Sequence, residues 1–299
     1  MAKMVIPPEN QMVMLNRCLI DNADQLPSPV ITVGGQAVMY WYATYMDFYP
    51  EQPDMTFITS IDVDYVAKKE GAEAIAKIFN VDSKLQEIFN PPSIAVFNLI
   101  DKDTGKVKEN SHGQFLNEQL NEANIVDIID RPSGFEHDDF AGDKLLLNTE
   151  PFLVMPDRQG AAMSHGFVRV LNPVACILSR LANATVPMGK DRFTEAIRIK
   201  VLALPVFNFL LEKLQTLPFK EARKYVDYFI TIIWRREFRR FQVEHSIPLY
   251  VIVAQLVKEL AESSGDYVLP QFYLNELPRK VMFLEKEYHR YQKLMARTN

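Results

Sequence analysis

The sequence predicts an α+β protein, with a mixed sheet and flanking helices over residues 1–171 and an all-helical region over residues 172–299. Three observations carry this. In the first half, short apolar runs suited to strands alternate with runs of helical spacing, beginning VITV, Gly34-Gly35, QAVMYWYATYM and then IDVDYV. From Pro205 onward, apolar residues recur every three or four positions and prolines separate the runs. Charge divides nearby: residues 1–189 hold 14 Lys and Arg against 25 Asp and Glu, whereas residues 190–299 hold 19 against 13.

With 299 residues, 48% of them hydrophobic, the chain is long enough for a sizeable core and two domains. No apolar run reaches the roughly eighteen residues that would span a bilayer, and residues 1–29 lack a basic start followed by an apolar stretch. The expected location is the cytoplasm, with no membrane partner. Cys18 and Cys176 stand far apart without a CxxC pattern, so neither a disulfide framework nor a zinc site is indicated, and both read as buried small apolar residues. A basic helical part beside an acidic α/β part suits a phosphate-bearing substrate; it equally describes a solvated helix face.

In order, residues 9–22 have helical spacing through Met12, Leu15 and Leu19, and Pro27 and Pro29 then force an extended run into a first strand at Val30. Gly34 and Gly35 turn that strand directly into an apolar helix whose aromatics, Trp41 among them, read as core. After a proline-rich loop, TFITSIDVDYVA reads as the second strand and KKEGAEAIAKIF as a helix. SIAVFNLID and KVKENS read as a hairpin across Asp101–Gly105, whose carboxylates form the turn. GQFLNEQLNE reads as a short helix or irregular, NIVDIID (124–130) as a strand, and KLLLNTEPFLVMP and HGFVRVL as further strand-like pieces. Asn172-Pro173 opens a helix, and prolines 205, 218, 248 and 278 mark later helix starts.

Asp62 and Asp64 are spaced i, i+2, which on a strand puts both on one face about 7 Å apart. They can share one cation, and magnesium with nucleotide phosphates is a common compensator for such a pair. Alone, the triplet also describes the solvated face of an edge strand. The glycine turn upstream narrows the choice, because a helix start presents free N–H groups and a favourable dipole to a phosphate.

The pattern Val33-Gly34-Gly35-Gln36-Ala37-Val38 followed by Ser60-Ile61-Asp62-Val63-Asp64 resembles the signature of the DNA polymerase beta-like nucleotidyltransferase superfamily. The nearest subgroup is the bacterial minimal and abortive-infection toxin nucleotidyltransferases. The resemblance covers residues 28–204 by pattern, and it implies a catalytic domain over 1–171 with a nucleotidyltransferase-type sheet. It further implies an enzyme that moves a nucleoside monophosphate from a nucleoside triphosphate, such as ATP, to an acceptor, with release of pyrophosphate. Gly34, Gly35 and Ser60 would hold the nucleotide; Asp62 and Asp64 would bind Mg2+ and act in catalysis. A third carboxylate on a later strand completes such sites, and Asp127, flanked in mid-strand by Val126 and Ile128, is assigned to it. Asp130, beside Arg131 at the strand's end, is the alternative. Arg180, where relatives usually carry lysine, and Lys190 before the capping residue Asp191 are the basic residues the resemblance assigns to the triphosphate; Lys190 also reads as an exposed cation.

The acceptor stays open among tRNA, a small molecule and a protein hydroxyl, and the toxin-like subgroup implies an antitoxin partner. The alternatives of another class are a catalytically silent binding protein of the same fold and an RNA-interaction protein using its helical part. For the latter the cluster Arg235-Arg236 and Arg239-Arg240 is the one basic face to consider, and it also reads as solvated. His137-Asp138-Asp139 reads as an exposed loop. Ser111-His112 and Ser164-His165 carry no nucleophile-elbow pattern.

Overall fold

The computed structural model describes residues 4–85, 93–117, 120–154, 162–186, 191–262, 270 and 272–297. The chain divides into two compact units, Met1–Thr44 with Asp54–Cys176, and Tyr45–Pro53 with Ile177–Asn299. This differs from a simple split at 171/172: the boundary falls within a helix, and nine residues from the first half, Tyr45–Pro53, belong to the helical unit.

The first unit is an α+β structure. Helix α1 (Pro8–Asp21) precedes β1 (Val30–Thr32), α2 (Gly34–Thr44), the single-turn α3 (Met55–Ile58), β2 (Val63–Val66) and α4 (Lys69–Phe79). There follow β3 (Lys84–Leu85), β4 (Ser93–Asn98), the small hairpin strands β5 (Glu109–Asn110), β6 (Gly113–Gln114), β7 (Leu116–Asn117) and β8 (Glu122–Ala123), and then β9 (Ile125–Ile129). Helix α5 (Gly142–Asn148), β10 (Thr149–Pro151), β11 (Val168–Leu171) and the start of α6 (Pro173–Thr185) complete it.

Seven strands form one mixed sheet in the order β10-β11-β1-β2-β9-β4-β3. The pairs β1/β11 and β2/β9 are parallel and the others antiparallel. Alternation along the strands makes its two faces unlike. Val63, Tyr65, Ala95, Phe97, Val126 and Ile128 are all fully buried on one face, towards which α4 packs through Ala72, Ile75 and Phe79. Asp64, Val96, Asp127 and Ile129 alternate with them on the other face, which is only half covered. Buried hydrogen bonds tie the helices to the sheet: Thr32 donates to Asn16 at 2.9 Å and the Trp41 indole to the Leu171 carbonyl at 2.6 Å.

Local chemistry overrides several pattern-based expectations here. The second strand is short, because Asp54 caps Met55–Ile58 into a helical turn by accepting from the Thr56 N–H at 3.0 Å. Asp62 therefore lies in the bend just before β2 rather than on the strand with Asp64. Lys144–Asn148 is helical in α5, where the side chain of Asn148 donates to the Asp139 carbonyl at 2.9 Å; a run of three leucines does not distinguish the two periods. Gly113–Ala123 contains short strands in place of a helix or irregular chain. Residues on both sides of Asp101–Gly105 do pair, Lys108 donating to the Leu99 carbonyl at 2.7 Å, but the main partner of β4 is β9.

The helical unit contains the rest of α6, α7 (Arg192–Thr216), α8 (Phe219–Trp234), α9 (Arg236–Glu244), α10 (Tyr250–Glu262) and α11 (Leu277–Met295). Its core gathers Leu202, Val206, Phe209, Val226, Phe229, Val253 and Leu256. Pro218 is the N-cap of α8 and Pro278 opens α11, but Pro205 lies inside α7 and not at a helix start. A proline there removes the N–H that would reach the carbonyl four residues back. That carbonyl, of Val201, instead accepts from the Tyr49 hydroxyl at 2.6 Å, which anchors the segment Tyr45–Pro53 to α7. Arg235, with ψ near the extended value at 137°, separates α8 from α9. No helix among the described residues is long and apolar enough to cross a membrane.

Candidate functional site

The site is built where β1 ends and β2 begins. The Val33 N–H donates to the Asp64 carbonyl at 3.0 Å, and the chain then turns through Gly34, at φ +68°, into α2. Glycine is required here twice over. L residues rarely adopt that φ, and a Cβ on Gly34 would stand 2.1 Å from Asp64 Oδ2. The Asp64 carboxylate thus lies directly against the first turn of α2, where an α-helix has N–H groups without intrahelical acceptors and a partial positive charge.

Asp127 stands next to it. Strands β2 and β9 run parallel with Asp64 and Asp127 as register partners, so both carboxylates leave the same half-open face. The Ser93 hydroxyl donates to Asp127 Oδ1, which fixes one oxygen of that carboxylate. Asp130 points into a different environment, 3.0 Å from the Arg131 guanidinium and 3.6 Å from the His137 ring.

Asp62 is exposed at the edge of this arrangement, held through its backbone. Gln36, fully buried in α2, donates from Nε2 to the Ser60 carbonyl and, at 3.4 Å, to the Asp62 carbonyl. The Ser60 hydroxyl also donates to the Asp62 carbonyl, at 3.2 Å. Ser60 is thus part of the bend that presents Asp62, and Gln36 is its anchor. A glutamine directly after the glycine pair is the signal in the sequence that marks this role.

Among the described residues, no group of three or more His, Cys, Asp or Glu side chains is gathered closely enough to hold a metal ion. The donor set at the centre is the Asp64 and Asp127 carboxylate pair. Such hard oxygen donors suit magnesium, which keeps several waters and takes one or two carboxylates together with phosphate oxygens.

Arg180 and Lys190 are the other expected site residues. Arg180 is buried in the helical unit with its guanidinium 3.2 Å from the fully buried Glu195, which also has Arg198 at 3.6 Å. Lys190 lies outside the described residues. Its neighbour Asp191 caps α7, accepting from the Phe193 and Thr194 N–H groups, and the Thr194 hydroxyl and amide hold its pKa below the ordinary value. In the arginine cluster, Arg239 stacks 4.2 Å over Trp234 with Glu287 at 3.7 Å, and Arg240 pairs with Glu244 at 2.7 Å. Asp139 closes a capping box with Glu136, and His165 accepts from the Phe167 N–H, so both of these histidine-adjacent motifs are turn-forming. Cys176 is buried; Cys18 is half-buried, and burial raises its pKa. Comparisons of the chain with protein-family models, curated proteins and solved structures return no match.

Proposed function

We propose that this protein is a magnesium-dependent nucleotidyltransferase of the DNA polymerase beta-like type, moving a nucleoside monophosphate from a nucleoside triphosphate to an acceptor hydroxyl. The single observation that carries the reading is the side-by-side placement of Asp64 and Asp127 against the Gly34 turn of α2. Two carboxylates side by side on neighbouring strands repel, and a cation between them relieves that repulsion. A helix start at the same point offers N–H donors to a phosphate. A metal–phosphate complex satisfies both demands at once.

In this reading Asp64 and Asp127 bind the cation, the first turn of α2 holds phosphate oxygens, and the Gly34 turn lets backbone and carboxylate approach closely. Gln36 and Ser60 fix the bend from which Asp62 reaches the outer side of the bound complex. Magnesium, when bound, neutralises phosphate charge and lowers the pKa of an attacking hydroxyl. The chain supplies positioning and charge, which is most of what phosphoryl transfer requires.

The test incubates the protein with α-labelled nucleoside triphosphates and cell lysate, and follows label into RNA, protein and small molecules together with pyrophosphate release. Label transfer that needs magnesium and disappears in Asp64→Asn is the expected result; transfer that survives Asp64→Asn and Asp127→Asn removes the proposal. A second reading, a catalytically silent nucleotide-binding protein of this fold, draws on the finding that no third carboxylate joins the pair among the described residues. Magnesium-dependent nucleotide binding without pyrophosphate release distinguishes it.

A further inference from the structure

The sheet face that carries Asp64 and Asp127 continues beyond them, where it is buried at Ile31 and Val66. Val66 lies two residues further along β2 on the same face, about 7 Å away at the ordinary strand rise, with its ladder partner Ile31 beside it. There the sheet and the segment 137–145 line an open cavity of about 700 Å³. Ile31 and Val66 form part of its apolar lining, with Leu145 from α5. Lys68 and Lys69, which open α4, stand on one side of it, and Asp130, His137 and Asp138 also line it.

This cavity falls within the roughly 300–1,000 Å³ typical of small-molecule sites. Its size suits one ring system, not a polymer. Lysine ammonium groups are compact point charges suited to phosphate, and the carboxylate of Asp130 accepts hydrogen bonds from hydroxyls. The apolar residues between them match the flat body of a ring. No part of this constellation serves the carboxylate pair itself, yet it shares the same sheet face within reach of one small molecule.

We propose that this cavity is the acceptor pocket, and that the acceptor is a small hydroxylated ring compound bearing a phosphomonoester. The proposal rests on the nucleotidyltransferase reading and names its substrate class. The acceptor's phosphate lies against Lys68 and Lys69, its ring against Ile31, Val66 and Leu145, and one hydroxyl extends along the sheet towards Asp64 and Asp127. The reaction balances without a further reagent: the acceptor oxygen forms a bond to the α-phosphorus as the bond from that phosphorus to the bridging oxygen breaks. Pyrophosphate leaves with the electron pair, and the hydroxyl proton passes to water.

The test is calorimetric titration of the full chain, without nucleotide or magnesium, using four probes: adenosine 5′-monophosphate, glucose 6-phosphate, adenosine and inorganic phosphate. At least one of the two ring phosphomonoesters is expected to bind roughly tenfold more tightly than adenosine or phosphate alone, a difference of about 1.4 kcal/mol. Leu145→Trp, which fills the cavity, and Lys69→Glu, an exposed change that does not threaten folding, should each weaken that binding roughly tenfold or more. If neither phosphomonoester exceeds phosphate and adenosine, or if both variants bind as wild type does, the acceptor pocket is wrong. Failure of the transferase reading is seen separately, as magnesium-dependent triphosphate binding that is indifferent to Asp64→Asn. A phosphomonoester that binds wild type and both cavity variants but is lost in Asp64→Asn belongs to the carboxylate site and also overturns the pocket.

Discussion

Asp64 and Asp127 are register partners on neighbouring parallel strands, so two carboxylates leave one sheet face side by side. Like charges in such neighbouring cross-strand positions cost roughly 0.2–1 kcal/mol relative to a neutral partner. Asp127→Asn should therefore leave the metal-free protein as stable as wild type or more stable by up to about 1 kcal/mol in urea unfolding. Magnesium should raise the melting temperature of wild type and have little effect on the variant. A variant that loses stability without magnesium would assign Asp127 a structural role instead.

Gly34 tests the same contact from the other side. Gly34→Ala meets both a positive φ and the Asp64 carboxylate, so it should destabilise by about 1–3 kcal/mol and abolish the magnesium-induced stabilisation. In an Asp64→Ala background the steric part disappears and only the backbone part remains. The cost of Gly34→Ala should then fall, and chemical denaturation of the four proteins in this cycle measures by how much. Equal costs in both backgrounds would mean that the close approach of Asp64 contributes nothing.

Gln36 should affect the site more than the fold. Its Nε2 holds the Ser60 and Asp62 carbonyls, whereas its Oε1 is buried without a hydrogen-bond partner. Gln36→Leu removes that unsatisfied acceptor together with the useful donor, so the net stability change should stay within about 1 kcal/mol. Amide exchange across residues 60–62 should accelerate, and magnesium–nucleotide affinity should drop severalfold. Unchanged exchange there would show that the bend holds without its anchor.

These relationships were legible in the sequence to unequal degrees, for physical reasons. Helices α1, α2, α4 and α6 and strands β1 and β9 follow from periodicity, proline placement and a glycine turn, all local signals. The Asp64–Asp127 pairing was within reach because a charged residue in an apolar strand invites an explanation. The i, i+2 spacing points to Asp62 on the strand with Asp64, but the cap from Asp54 competes with the β-propensity of TFIT and prevails. Arg180 could not be read at all: its partner Glu195 is fifteen residues away and buried, and nothing local announces a buried ion pair. The assignment of Tyr45–Pro53 to the helical unit likewise depends on a tertiary hydrogen bond to α7.

His245, at the C-terminal end of α9, carries a pH signature of the helical unit. Burial lowers its pKa below the ordinary 6.5, and the Arg192 guanidinium lowers it further. The unfolded chain therefore takes up the proton more readily than the folded one. Stability should be complete above about pH 6.5 and should fall as pH drops from there towards the depressed folded value. His245→Gln should flatten this dependence, as read from urea midpoints between about pH 7.5 and 5.5. A histidine resonance that titrates above 6.5 in the folded protein would contradict the sign.

Tyr49 and Pro205 should be energetically coupled although they share no direct bond. Pro205 leaves the Val201 carbonyl without its helical donor, and the Tyr49 hydroxyl takes that place at 2.6 Å. Tyr49→Phe should cost about 1–2 kcal/mol, because the buried carbonyl is left without a partner. In a Pro205→Ala background the restored N–H at residue 205 can reach the same carbonyl, so Tyr49→Phe should there cost only about 0.5 kcal/mol or less. The resulting coupling, about 1 kcal/mol, is measurable by urea unfolding of the four proteins. Additive effects would mean that Tyr49 holds the segment Tyr45–Pro53 by packing alone and that α7 accommodates its internal proline without help.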